Sequence, residues 1–171
     1  MSFFTALRFL TIIPLPSKDN ESPLEMGRST VYFPVAGLFI GLLLVGLNFL
    51  LRLILPSPIV NGLVIVLLVI ISGALHLDGF VDTCDGIAGH KTVEDRWEVM
   101  HDSRAGAFGI VGVALLLLIE YISLSNIPGN LLTATLLIMP VISRWTMVYA
   151  ISAYPYARQE GLGKAFKQGA S

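Results

Sequence analysis

The stretch YFPVAGLFIGLLLVGLNFLL, Tyr32 to Leu51, carries no charge over twenty residues. As a helix it reaches about 30 Å, the thickness of the hydrocarbon core of a bilayer. Three further apolar runs follow, Ile59 to Leu75, Gly106 to Leu124 and Leu131 to Tyr154. The first of these three sits at the lower limit for a span, about 17 residues, and needs help from its flanks. The composition agrees: 54% of the 171 residues are hydrophobic and 13% charged, against about 25% charged in an ordinary soluble domain. The expected fold class is therefore all-α, a polytopic integral membrane helical bundle with about four spanning helices and short interfacial ones. No soluble domain and no internal repeat interrupt residues 1–171, which read as a single membrane-embedded domain.

A formal net charge of -1 offers no basic face for a phosphate backbone, so nucleic acid is excluded as a partner. The lone cysteine, Cys84, allows no intrachain disulfide, which fits a reducing compartment. Basic residues alternate along the connections. Arg8, Lys18 and Arg28 precede the first run; Lys91, Arg96 and Arg104 lie between the second and third; Arg158, Lys164 and Lys167 follow the fourth. Ser125 to Asn130 has none, and Arg52 is the exception. By the retention of positive charge on the inner side, both termini and the connection Asp78 to Arg104 are expected in the cytoplasm, and the protein in the cytoplasmic (inner) membrane. Met1 to Pro16, with Phe3, Phe4, Leu7, Phe9 and Leu10 around Arg8, reads as an amphipathic interfacial segment in contact with lipid rather than a cleaved leader.

The chemistry concentrates in HLDGFVDTCDG, His76 to Gly86. Asp78, Asp82 and Asp85 are spaced by four and three residues, so on a helix they share an arc of roughly 60°. Carboxylates gathered in that way repel one another unless a cation neutralises them, and a hard divalent ion with oxygen ligands, Mg2+ above all, is the economical partner. His76 falls on the opposite side of the wheel and stays outside the metal set. Cys84 reads as a spacer between the acids. Gly79, Gly86 and Gly89 form a neighbouring stripe that invites something bulky. Gly37 with Gly41, and Ala105 with Gly109, are spaced for close helix packing. Thr92 and Asp95 form a capping-box pattern, and Val93, Trp97 and Met100 then share a face, so a short surface helix is expected there.

A second cluster is HDSRAGAFG, His101 to Gly109, at the start of the third run. Asp102 or Ser103 can cap the helix that begins there, and its free amides, with Arg104, suit a phosphate oxygen. If Asp102 turns toward the aspartates it becomes a fourth metal carboxylate. Arg144 lies inside the fourth apolar run and asks for an anion, either a substrate phosphate or an internal carboxylate such as Glu120. Acidic metal ligands, a phosphate-binding helix start and arginines together suit displacement at phosphorus.

At these residues the sequence resembles the adenosylcobinamide-GDP ribazoletransferases, also called cobalamin-5'-phosphate synthases. The likeness runs along the whole chain: Ala6 to Thr11 with Pro14 and Pro16, Tyr32 to Gly37, Leu75 to Gly86, Asp102 to Gly109, Ser143-Arg144-Trp145, Tyr156 to Arg158 and Gly161 to Lys164. The resemblance implies a Mg2+-dependent membrane enzyme of cobalamin biosynthesis that joins adenosylcobinamide-GDP to α-ribazole, or its 5'-phosphate, and releases GMP. It implies Asp78, Asp82, Asp85 and Asp102 as metal ligands and Asp82 or Asp102 as the general base. Ser103, Arg104, Arg144, Arg158 and Lys164 are implied as substrate contacts, and a homo-oligomer is compatible with it. His101 stands where the family commonly has lysine. Family members usually continue with further hydrophobic segments, so the domain is expected to be incomplete at its C-terminus.

Two rival classes share some features. A CDP-alcohol phospholipid transferase also uses spaced aspartates, but its Asp-Gly-x-x-Ala-Arg opening is replaced here by Asp78-Gly79-Phe80-Val81-Asp82. An ion-coupled transporter would carry its acids midway through broken spans, whereas these cluster at one end of a run.

Overall fold

A computed structural model describes residues 2–16, 22–89, 92–102, 104–157 and 161–169, and the described residues contain helices and no strand. Three helical stretches are long and apolar enough to cross a membrane: Pro23–Leu51, Ala107–Asn126 and Gly129–Ala153. A fourth crossing exists only if Ser57–Ile71 and Leu75–Ile87, bent by 88° at their junction, count as one broken span. The contacts divide the chain into two units, Met1–Ile54 with Pro128–Ser171, and Leu55–Ile127.

In the first unit, α1 (Ser2–Leu10) leads to α2 (Pro23–Ser29), a 3-10 turn at Thr30–Tyr32, and α3 (Phe33–Leu51). α2 begins at a reciprocal cap. The Ser22 amide donates to Glu25 Oε2 at 3.1 Å, the Glu25 amide donates to Ser22 Oγ at 3.3 Å, and Pro23 occupies the first turn, where its missing N–H costs nothing. The apolar run from Tyr32 is thereby extended by a polar first turn. The packing of α3 against the fourth apolar helix (Gly129–Ala153, α8 in chain order) is antiparallel, with Gly37 against the Pro140 carbonyl and Gly41 against Leu136 and Leu137. A Cβ on Gly41 would stand 2.9 Å from the Leu136 carbonyl oxygen, so the two backbones meet where no side chain fits. The buried stripe on that helix, Leu132, Leu136, Pro140 and Arg144, repeats every fourth residue, and the helix continues through Pro140.

α1, in the segment expected to lie in the interface, packs on its own unit. Ala6, Leu7 and Leu10 join Phe33, Ala36 and Phe166 in one cluster. Phe166 belongs to the last helix, Leu162–Gly169 (α9 in chain order), whose ring lies 4.5 Å from that of Phe9 and 5.7 Å from that of Phe33. Enclosing Leu10 in this way is worth about 1.5–3 kcal/mol against exposure to water.

In the second unit, α4 (Ser57–Ile71) stops short of the expected Leu75 boundary. Gly73 (φ 61°) and Ala74 (φ 56°) both take left-handed backbone, which ends α4 and redirects the chain into α5 (Leu75–Ile87). At 15 residues α4 is below the usual span length of about 17. α6 (Val93–His101) is the short helix expected from its cap: Thr92 Oγ1 accepts the Asp95 amide at 3.1 Å. α7 (Ala107–Asn126) follows, pairs with α4 through Asn61 Nδ2 donating to Ser125 Oγ at 3.1 Å, and has a single buried residue, Gly109. Leu115, Leu118, Ile119 and Ile122 are all at least half exposed. Such a surface belongs in hydrocarbon, and these spanning helices make the protein a multi-pass membrane protein.

Substituting Gly41 by valine should separate the two helices that meet there and cost about 1–3 kcal/mol by overpacking. Thermal unfolding of the detergent-solubilised protein is expected to shift to lower temperature. An unchanged midpoint would mean that the backbones do not meet at this point.

Candidate functional site

Asp78, Asp82 and Asp85 all lie on α5, as their spacing requires. Their environments nevertheless separate. Asp78 is exposed, Asp82 half-buried, and Asp85 buried at 9%. A shared arc on the wheel ignores the rise along the axis: Asp78 and Asp82 are about 6 Å apart along the helix, Asp78 and Asp85 about 10 Å. Among the described residues no group of three or more His, Cys, Asp or Glu side chains could hold a metal ion. The convergence of three carboxylates expected from the wheel does not occur.

The Asp85 carboxylate is engaged elsewhere. Oδ2 accepts the Gly106 amide and Oδ1 accepts the Gly109 amide, each at 2.8 Å. Gly106 is the N-cap of α7 and Gly109 lies in its first turn. The cap expected from Asp102 or Ser103 is thus supplied by a residue more than twenty positions upstream, and two of the amides expected to receive a phosphate are already occupied. The approach needs both glycines. A Cβ on Gly106 would stand 2.5 Å from Asp85 Oδ1, and one on Gly109 would collide with Oδ2. Further along, Cys84 lies against Gly112.

On its other side α5 meets α6. Gly86 faces Met100, and a Cβ there would come within 2.6 Å of the methionine methyl group. The bulky neighbour expected over the glycine stripe is therefore real at Gly86. Gly79 has open space around it, and Gly89, at φ 78°, serves a turn.

Asp102 closes on Arg104. Arg104 Nη2 donates to Asp102 Oδ2 at 2.6 Å, Nε donates to Oδ1 at 3.0 Å, and the Arg104 backbone amide donates to Oδ1 at 3.0 Å. These bonds, the side-chain ones first, hold the Asp102 carboxyl at about 2, below its ordinary 3.8, and raise Arg104 above its ordinary value. So weak a base is a poor acceptor for a substrate proton near neutrality. A carboxylate closed on a guanidinium is also not turned toward α5 as a fourth metal ligand. Arg104 keeps most of its side chain exposed. Beside this pair opens a cavity of about 470 Å³, lined by Asp85, Ala88, Val99, Asp102, Arg104 and Phe108 among others.

In the first unit, Arg144 is 4% exposed. Its Nη1 donates weakly to Ser143 Oγ at 3.5 Å and its Nε has no hydrogen-bond partner. Among the described residues of its own unit no carboxylate reaches it. Lys164 lies exposed on α9, with its amide donating to the Gly161 carbonyl at 3.1 Å. Ser103 and Arg158 lie outside the described residues.

Because the folded Asp102 carboxyl titrates below its unfolded value, the pair contributes fully above pH 3.8 and its contribution is lost as pH falls through about 2. Carbon NMR of the aspartate carboxyls should find Asp102 titrating near 2, and Arg104→Gln should return it toward 3.8. An ordinary value in the unaltered protein would mean that the pair is not made.

The family model described as cobalamin-5-phosphate synthase matches residues 2–171. An adenosylcobinamide-GDP ribazoletransferase of Geotalea daltonii is 43% identical over 98% of this chain and 68% of its own length. Enzymes with the same name from Pseudomonas putida (37% identical, 98% of this chain, 70% of the relative) and Desulfitobacterium hafniense (36%, 95% and 65%) are similar along the same region. The chain therefore spans about two thirds of the length of these relatives. No solved structure matches it. With nearly every residue aligned, and the acidic helix and the Asp102 to Gly109 segment inside the match, the chain belongs to the cobalamin-5-phosphate synthase family.

Proposed function

We propose that this protein is an adenosylcobinamide-GDP ribazoletransferase of the cytoplasmic membrane, joining adenosylcobinamide-GDP to α-ribazole or its 5'-phosphate and releasing GMP. The match of residues 2–171 to the family carries the reading. In the reaction, the ribazole 3'-hydroxyl oxygen bonds to the phosphorus attached to the cobinamide arm. The pyrophosphate P–O bond on the far side breaks, GMP departs with its electron pair, and the hydroxyl proton passes to a base.

Asp82 is the base of choice, since it is half-buried on α5, whereas the bonds from Arg104 make Asp102 a weak base. Mg2+ is the expected cofactor. Asp78 and Asp82, one helical turn apart, suit an ion that takes one or two carboxylates and completes its shell with substrate phosphate and water. When bound, the ion would supply charge neutralisation at the leaving pyrophosphate. Asp85 and Asp102, offered by the sequence as further ligands, are engaged with backbone amides and with Arg104.

Arg104, exposed beside the cavity at the start of α7, is assigned to a substrate phosphate, where it can exchange Asp102 for an anion. Arg144 suits the same class of group, because a buried guanidinium with an unpartnered Nε needs an anion or a polar partner. Arg158, Lys164 and Ser103 complete the assigned substrate contacts. The distribution of lysine and arginine supports a cytoplasmic position for the acidic helix.

Membranes holding the protein should release GMP from adenosylcobinamide-GDP only when α-ribazole and Mg2+ are both present. Asp82→Asn should lower turnover by about a hundredfold or more, the scale expected for a lost general base, with membrane insertion unchanged. Turnover equal to that of the unaltered enzyme would remove Asp82 from the chemistry, and absence of GMP release by the unaltered enzyme would remove the activity itself.

A further inference from the structure

We propose that Asp85 is a positioning residue rather than a metal ligand: its carboxylate fills the N-terminus of α7 and fixes the face of α5 on which Asp78 and Asp82 stand. The role in turnover rests on the function proposed above, whereas the geometry of the clamp does not.

Four observations converge on this assignment. Both carboxylate oxygens are used, one on Gly106 and one on Gly109, at 2.8 Å each. The residue is buried, unlike Asp78 and Asp82. The two donors are glycines, and a Cβ on either would strike the carboxylate. The wall continues beside it: Gly109 also meets Val81, and a Cβ there would lie 3.0 Å from the Val81 carbonyl oxygen. An anion at a helix N-terminus satisfies orphan amides and is favoured by the helix dipole. In this molecule that anion is the chain's own side chain.

The consequence concerns the other two acids. α5 is tied to α7 through Asp85 and to α6 through Gly86 and Met100. Its rotation about its own axis is thereby set, and with it the direction in which Asp78 and Asp82 point. A ligand role for Asp85 would require breaking two buried hydrogen bonds and leaving the Gly106 and Gly109 amides without acceptors, a costly exchange next to hydrocarbon.

The test uses the full chain in lipid nanodiscs. Binding of Mn2+ alone, read by electron paramagnetic resonance, should weaken by about tenfold or more in Asp82→Asn, as for a lost ligand. Asp85→Asn removes no ligand and keeps one oxygen to accept from the α7 amides, so it should weaken Mn2+ binding clearly less than Asp82→Asn does. In GMP release, Asp85→Asn and Gly109→Ala should each lower kcat by about tenfold while KM changes little, and the double variant should be no worse than the poorer single one, because both remove one interaction. Gly106→Ala provides a second, independent removal of the clamp should either variant fail to insert. Loss of Mn2+ binding in Asp85→Asn equal to that in Asp82→Asn, or additive losses in the double variant, would overturn the assignment. If the unaltered protein released no GMP, the function would fall, and the Mn2+ comparison would still decide the role of Asp85.

Discussion

The carboxylate of Asp85 resting on the amides of Gly106 and Gly109 is the interaction on which the acidic unit depends. A helix that enters a membrane starts with backbone donors that nothing in the helix satisfies, and hydrocarbon offers them no water. α7 has no side-chain cap of its own at Gly106. The missing acceptor comes from α5, so one polar contact both closes the start of α7 and joins the two helices. The glycines at 106, 109 and 112 are the geometric counterpart of this arrangement: they let Asp85, Val81 and Cys84 approach the α7 backbone.

The remaining charges follow the same physical economy. Asp102 and Arg104 neutralise each other two residues apart at the entrance to α7, in contact with solvent, where the pair can open for an incoming anion at modest cost. Arg144 is the opposite case, enclosed and without an acceptor for its Nε. Displacement at phosphorus then depends on placement of the reactants and on charge stabilisation more than on any covalent work by the protein.

Much of this was readable in the sequence because membranes impose simple rules. Apolar runs of about twenty residues disclosed three of the spanning helices, Gly37 and Gly41 disclosed the close helix pair, and Thr92 disclosed α6. The run from Ile59 to Leu75 misled, since hydropathy is blind to the left-handed backbone at Gly73 and Ala74 that ends α4 early. α2 was legible and overlooked: Ser22-Pro23-Leu24-Glu25 is a capping box with proline in the first turn. The packing of α1 on Phe166 could not be read, as it joins residues from opposite ends of the chain. At the site, angular spacing placed three aspartates on one face but said nothing of their rise along the axis or of what faces each one. Gly109, paired with Ala105, suggests helix packing by its spacing, whereas with Gly106 it forms a seat for a carboxylate.

The central claim is a division of labour among three acids on one helix. The most direct measurement is the anomalous scattering from Mn2+ in crystals of the protein grown with the metal and a pyrophosphate-bearing nucleotide. The account predicts a single strong peak at coordination distance from Asp78 and Asp82, with Asp85 still bonded to the amides of Gly106 and Gly109. A peak ligated by Asp85, with those two amides released, would contradict it.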